Sequence, residues 1–198
     1  MSYQPRIVAF AGSTRENSYN KRLAAIAAKG ASETGADVKL IDLRDFPMPL
    51  FDQDLEAREG KNESAKQFKK LLVDCDGILI SSPEYNGSIS GVLKNSIDWA
   101  TRADEGDLPG FSPAFRGKVV SIMSASPGGL GGLRGLVHLR AILGGLGCIM
   151  LPTQTAVSSA HEAFDDAGNL KNEKQQQQIL DQGRELSTFI AQLNKMDF

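Results

Sequence analysis

Short aliphatic runs alternate along this chain with segments of helical period, and that alternation restricts the possible folds more than any other feature. RIVAFA at Arg6–Ala11 predicts a buried strand, and residues 17–34 follow as a helix with Leu23, Ile26, Ala27 and Gly30 at helical spacing. Residues 36–42 predict a second strand, and residues 64–74 a helix in which Phe68, Leu71, Leu72 and Cys75 obey the i, i+3, i+4, i+7 rule. Gly77–Ser81 (GILIS), 118–123 (KVVSIM) and 148–151 predict three more strands, the last interrupted by Pro152. Helices are expected over 89–101, 133–143 and 172–194. Residues 46–51 carry two prolines and cannot form a central strand. The Gln175–Gln178 run reads as a solvated helix face. Strands alternating with helices argue for an open parallel α/β sheet covered on both sides, joined by right-handed crossovers.

The 198 residues suit one domain over 1–198, with no repeat and no dividing linker. The net charge of −2 offers no footprint for nucleic acid, and no stretch reaches the ~20 apolar residues of a membrane span. No leader-like segment precedes the apolar run at Ile7, so a cytoplasmic protein is expected. Cys75 and Cys148 form neither a CxxC nor a zinc spacing and read as two buried reduced thiols. Residues 52–62 and 102–117 read as mobile loops, the second near the site.

In such a sheet, ligands bind beyond the carboxyl ends of the strands, at the switch point of strand order. Three loops there hold unusual residues. The first, GSTRENSYN at residues 12–20, leaves the strand through Gly12 and enters a helix N-terminus, which favours an anion. Ser13, Thr14, Ser18 and Asn20 offer hydroxyl and amide donors, and Arg15 a cationic fork. The loop lacks both the Walker A and the G-x-G-x-x-G spacing, so a single phosphate fits better than a pyrophosphate; a plain N-capping cluster is the competing interpretation.

The second loop, SSPEYNGSIS at residues 81–90, places a turn at Asn86-Gly87 and the aromatic face of Tyr85 where a planar heterocycle could lie; a bare turn before a capped helix is its alternative. The third, SASPGGLGG at residues 124–132, has small residues that permit close approach of a flat ligand. GLGGLRG at 129–135 lacks the final glycine of a dinucleotide fingerprint. Neither His138, in a helix pattern, nor His161, in a polar loop, has partners at metal spacing, and Ile89 stands where a nucleophile elbow needs serine.

Together G-S-x-R-x-x-S-x-N (12–20), P-E-Y-N-G-S (83–88) and L-K-N-x-I-D-W (93–99) resemble the NADPH-dependent FMN reductase family, which includes chromate and quinone reductases and some azoreductases. The resemblance runs over nearly the whole chain. It implies a flavodoxin-like three-layer sandwich with a five-stranded parallel sheet, order 2-1-3-4-5. It implies that Ser13, Arg15, Ser18 and Asn20 grip the FMN phosphate. It also implies that Pro83, Glu84, Tyr85, Asn86 and Gly87 line the isoalloxazine, and that Ser124, Ser126, Gly128 and Gly129 complete the pocket. NADPH or NADH would donate electrons, passed by a ping-pong scheme to quinones, free flavin, azo compounds or oxidised metal ions. The cofactor then carries the chemistry, and no catalytic acid, base or nucleophile is required. Glu84, in the second motif, is expected to have a structural or subunit-contact role rather than to donate a proton. Homodimers or homotetramers are expected, with the flavin near the subunit boundary. The 102–117 loop is longer than the family pattern. An FMN-binding electron carrier that never meets a nicotinamide is the alternative.

Overall fold

The computed structural model describes residues 3–104, 106–107 and 112–195. Its main sheet contains β1 (Arg6–Ala11), β2 (Asp37–Ile41), β3 (Gly77–Ser81), β6 (Val119–Ala125) and β7 (Ile149–Val157). The order is β2-β1-β3-β6-β7 and every pairing is parallel. The short strands β4 (Glu84–Tyr85) and β5 (Ser88–Ile89) form a separate hairpin, so the five sheet strands follow the flavodoxin-like order 2-1-3-4-5.

Side chains alternate across each strand, and the three central strands have both faces covered. Ile7, Ala9, Leu79 and Met123 face the layer of α1 (Tyr19–Glu33) and α7 (Glu173–Leu193). Val8, Phe10, Ile78, Ile80 and Ile122 face α3 (Glu63–Asp74), α4 (Gly91–Ala100) and α5 (Leu133–Gly145). The α1–α7 contact is unusually close. A Cβ on Gly183 would lie 1.9 Å from the Ala27 carbonyl oxygen, and one on Gly30 would lie 2.0 Å from that of Leu180.

Three elements differ from the sequence expectation. Residues 52–62 contain a helix, α2 (Gln53–Glu59), which buries no residue. It stands on the Asp52 cap, which accepts from the N–H groups of Asp54 and Leu55, and on a 2.7 Å ion pair between Glu56 and Arg102. The last strand continues past Pro152 to Val157. The β6–β7 register breaks between Val120 and Ile122, and Pro152 falls in that irregularity of an edge strand, where its missing N–H costs no ladder bond. The buried Gln182 amide of α7 fills the gap, donating to Ser121 Oγ, the Ile122 carbonyl and the Thr153 carbonyl. His161 lies in a short helix, α6 (Ala160–Ala163), not in a loop.

In the 102–117 loop, Asp104 and Asp107 pair with the buried Lys69 of α3, and Asp104 also with Lys61. Glu105, Pro109 and Gly110 lie outside the described residues. Cys75 is buried and Cys148 half-buried rather than buried. Burial pushes their thiols up to about 11 and about 12, well away from reactive thiolates.

Candidate cofactor site

The turn after β1 is clamped from two sides. Gly12 donates its N–H to the Ser81 carbonyl at 2.9 Å, and its own carbonyl accepts the Ser90 hydroxyl at 2.6 Å. Ser90 also caps α4 by accepting from the Leu93 N–H. Leu93 packs so near that a Cβ on Gly12 would come within 2.8 Å of it, which explains the glycine.

Beyond Gly12, Ser13 and Ser18 are only 3% and 4% exposed, while Arg15 stands on the open rim. Ser18 is the N-cap residue of α1, with extended backbone, yet its hydroxyl makes no capping bond. The first turn of α1 contains no acidic residue either. The positive end of this helix is therefore uncompensated, the arrangement that receives an anion.

Asn20 is buried, and its amide joins three elements. Its Nδ2 donates to the Ala125 carbonyl at 2.8 Å, while Oδ1 accepts from the Ser81 hydroxyl and the Ala125 N–H, both at 2.9 Å. The carbonyl side of the amide is fully used by the protein. Asn20 thus fastens the α1 entry to the ends of β3 and β6.

In the second loop, Asn86 and Gly87 have φ of 52° and 81°, as a two-residue turn of the primed kind requires, so the expected turn closes the β4–β5 hairpin. Tyr85 and Asn86 are exposed and Pro83 is buried. Glu84 reaches the start of α5, accepting from the Arg134 and Gly135 N–H groups and from Arg134 Nε. Burial raises its pKa, but the Arg134 side chain and these N–H groups outweigh that and hold the carboxyl below its ordinary value.

In the third loop, the Ser126 hydroxyl accepts from the Gly128 N–H, and Gly128 and Gly129 are exposed; a Cβ on Gly129 would meet open space, and one on Gly128 would touch only the Ser126 hydroxyl, at 3.7 Å. Ser124 behaves differently. It belongs to β6, is fully buried, and its hydroxyl finds no partner among the described residues. A Cβ on Gly132 would lie 1.9 Å from that hydroxyl, so Ser124 supports the loop from below and does not face the pocket.

The three loops converge on a pocket of about 90 Å³ lined by Ser13, Arg15, Ser18, Asn20, Pro83, Glu84, Tyr85 and Ser126. Asn86, Gly87, Gly128 and Gly129 do not line it. Tyr19, Ala125 and Pro127 also line the pocket and were not anticipated. Tyr19 could have been found, since it lies inside the first motif; its ring stacks on Phe164 at 6.0 Å. A larger cavity of about 520 Å³ lies at the outer edge of β2, among Lys21, Lys39, Leu40, Asp42 and Phe46. Buried hydroxyls around an uncompensated helix terminus fit a phosphate, and the open glycine positions beside them fit a flat ring.

A family model described as NADPH-dependent FMN reductase matches residues 5–162. An NAD(P)H-dependent FMN reductase of Pseudomonas aeruginosa is 34% identical over 98% of this chain and 99% of that one. A quinone reductase of Escherichia coli is 35% identical over 72% of this chain and 71% of its own. Among solved structures, the flavoenzyme NAD(P)H:(acceptor) oxidoreductase of Paracoccus denitrificans superposes with a TM-score of 0.79 at 25% identity, covering 95% of this chain and 98% of that one. Sheet order, phosphate-receptive turn and relatives agree: the chain belongs to the NADPH-dependent FMN reductase family and is a flavodoxin-like oxidoreductase that works with FMN and NAD(P)H.

Proposed function

We propose that the chain holds the FMN phosphate in the turn after β1 and reduces small acceptors such as quinones, free flavin, azo compounds or oxidised metal ions in a ping-pong cycle. One observation carries this reading: the buried Ser13 and the N-cap Ser18, whose hydroxyl makes no capping bond, converge with Arg15 on one pocket at the positive end of α1. When bound, FMN would supply the redox chemistry that links NAD(P)H to the second substrate. The protein's part is to bind and orient. Ser13 and Ser18 donate hydroxyl protons to the phosphate, Arg15 adds charge at the rim, and the Pro83–Gly87 hairpin with Ser126, Gly128 and Gly129 borders the ring. Glu84 is engaged by Arg134 and two backbone N–H groups, so it anchors the hairpin instead of supplying a proton. The expected experiment is an anaerobic titration of the FMN-loaded protein. Its visible band bleaches with NADPH or NADH alone and returns on adding a quinone. A band that persists until a separate reductase is supplied defeats the ping-pong reading in favour of an electron carrier.

The same reading includes self-association and a cytoplasmic location. Leu130, Leu133 and Val137 expose 55%, 42% and 57% of their surface around one side of α5, next to the hairpin that borders the cofactor pocket. Such an apolar patch suits a second copy of this chain. Two unpaired cysteines agree with a reducing compartment. Sedimentation at micromolar concentration is expected to give a dimer or tetramer, and Val137→Glu a smaller species. A monomeric parent protein refutes the assembly.

A further inference from the structure

Arg44 lies thirty positions along the chain from Thr14, in the 3-10 turn Leu43–Asp45 that follows β2. Its Nε and one terminal nitrogen both donate to the Thr14 carbonyl, at 3.1 and 2.8 Å. Its base is fixed as well. Asp42 accepts from the Arg44 N–H at 3.0 Å and pairs with Lys21 of α1, which ties this corner to the helix that bears the phosphate site.

On the far side of the Thr14–Arg15 peptide, the Arg15 N–H donates to Ser13 Oγ at 3.2 Å. A trans peptide points its C=O and N–H in opposite directions, so holding the oxygen sets the direction of the N–H. With one Ser13 lone pair engaged, its proton remains to be given, and it finds no acceptor among the described residues. A charged donor at one end of such a chain polarises each following link.

We propose that Arg44 is a positioning residue for the flavin phosphate. Through the Thr14–Arg15 peptide it sets and strengthens Ser13 as a hydrogen-bond donor into the pocket. The proposal rests on the phosphate being seated in this turn. Arg44 does not line the pocket; it acts through Ser13.

The experiment measures FMN and riboflavin affinities of apo-protein carrying Arg44→Ala, Ser13→Ala, Arg15→Ala and the Ser13→Ala/Arg44→Ala pair, with melting temperatures as a check on folding. Arg44→Ala is expected to weaken FMN about tenfold, near the size of one charge-assisted hydrogen bond, and to leave riboflavin unchanged. In the Ser13→Ala background the same change is expected to cost less than about twofold, because the residues act as one unit. A full tenfold loss in that background shows a plain charge effect and overturns the proposal, as does an unchanged affinity of Arg44→Ala. If Ser13→Ala and Arg15→Ala both bind FMN as the parent does, the phosphate is not in this turn, and the underlying reading fails separately.

Discussion

Replacing Gly183 by alanine is expected to lower the unfolding free energy by about 3 kcal/mol, although helix propensity predicts a gain of about 1 kcal/mol for the same change. The sign depends on what the new methyl group meets. At Gly183 it would lie 1.9 Å from the Ala27 oxygen, 2.8 Å from the Ala31 nitrogen and 2.9 Å from the Ala27 carbonyl carbon. These are backbone atoms of α1 and cannot rotate away. The helices must separate, exposing Leu23, Ala27, Ile179 and Leu186, which fill the core between them and the sheet. Gly30→Ala meets the Leu180 backbone in the same way. Gly144→Ala is the control: it lies in α5 with open space around it and is expected to be neutral or slightly stabilising. Urea unfolding of the three variants decides the matter. A stabilised Gly183→Ala would show that the two helices are not held at this distance.

Gly132→Ala is expected to cost about 2–3 kcal/mol and to weaken FMN binding as well, for two separable reasons. Gly132 has φ of 92°, a left-handed conformation unfavourable to alanine. Its Cβ would also lie 1.9 Å from the Ser124 hydroxyl and 3.0 Å from Ser124 Cβ. Relief of the clash displaces the start of α5, and with it the Arg134 and Gly135 N–H groups that hold Glu84. Adding Ser124→Gly removes the clash and leaves the backbone strain, so the pair is expected to recover about half of the loss. Ser124→Ala alone deletes a buried hydroxyl without a partner among the described residues and is expected to be neutral or mildly stabilising. Denaturation curves and FMN titration of the single and double variants test this. Equal stability of Gly132→Ala and the parent would refute the close contact.

The central strands could be read from the chain because both of their faces are apolar: Arg6–Ala11 and Gly77–Ser81 appear as unbroken runs with unambiguous ends. The hairpin turn was readable from Asn86-Gly87, since few other residues accept two positive φ angles in succession. The helix Gln53–Glu59 was not, because a helix that buries nothing carries no apolar period. Pro152 misled in the opposite sense: it reads as a strand breaker until a register irregularity and the Gln182 amide accommodate it. At the site, residue type offered the hydroxyls and amides but not where they point. Asn20 and Ser124 resemble Ser13 and Ser18 as small polar residues of the first and third loop motifs. Only the Ala125 and Ser81 bonds of the one, and the complete burial of the other, distinguish them. Arg44 gave no signal in the sequence, because its partner is a backbone carbonyl and any residue at position 14 would provide one.

One consequence of the Asn20 amide concerns the empty protein. Because a single side chain fastens the entry of α1 to the ends of β3 and β6, the walls of the proposed phosphate seat are held in register by the protein's own hydrogen bonds. The newcomer therefore gives up mainly its own freedom on arrival, and little is spent on ordering the host. Loss of the flavin should accordingly leave behind a folded vessel ready for refilling.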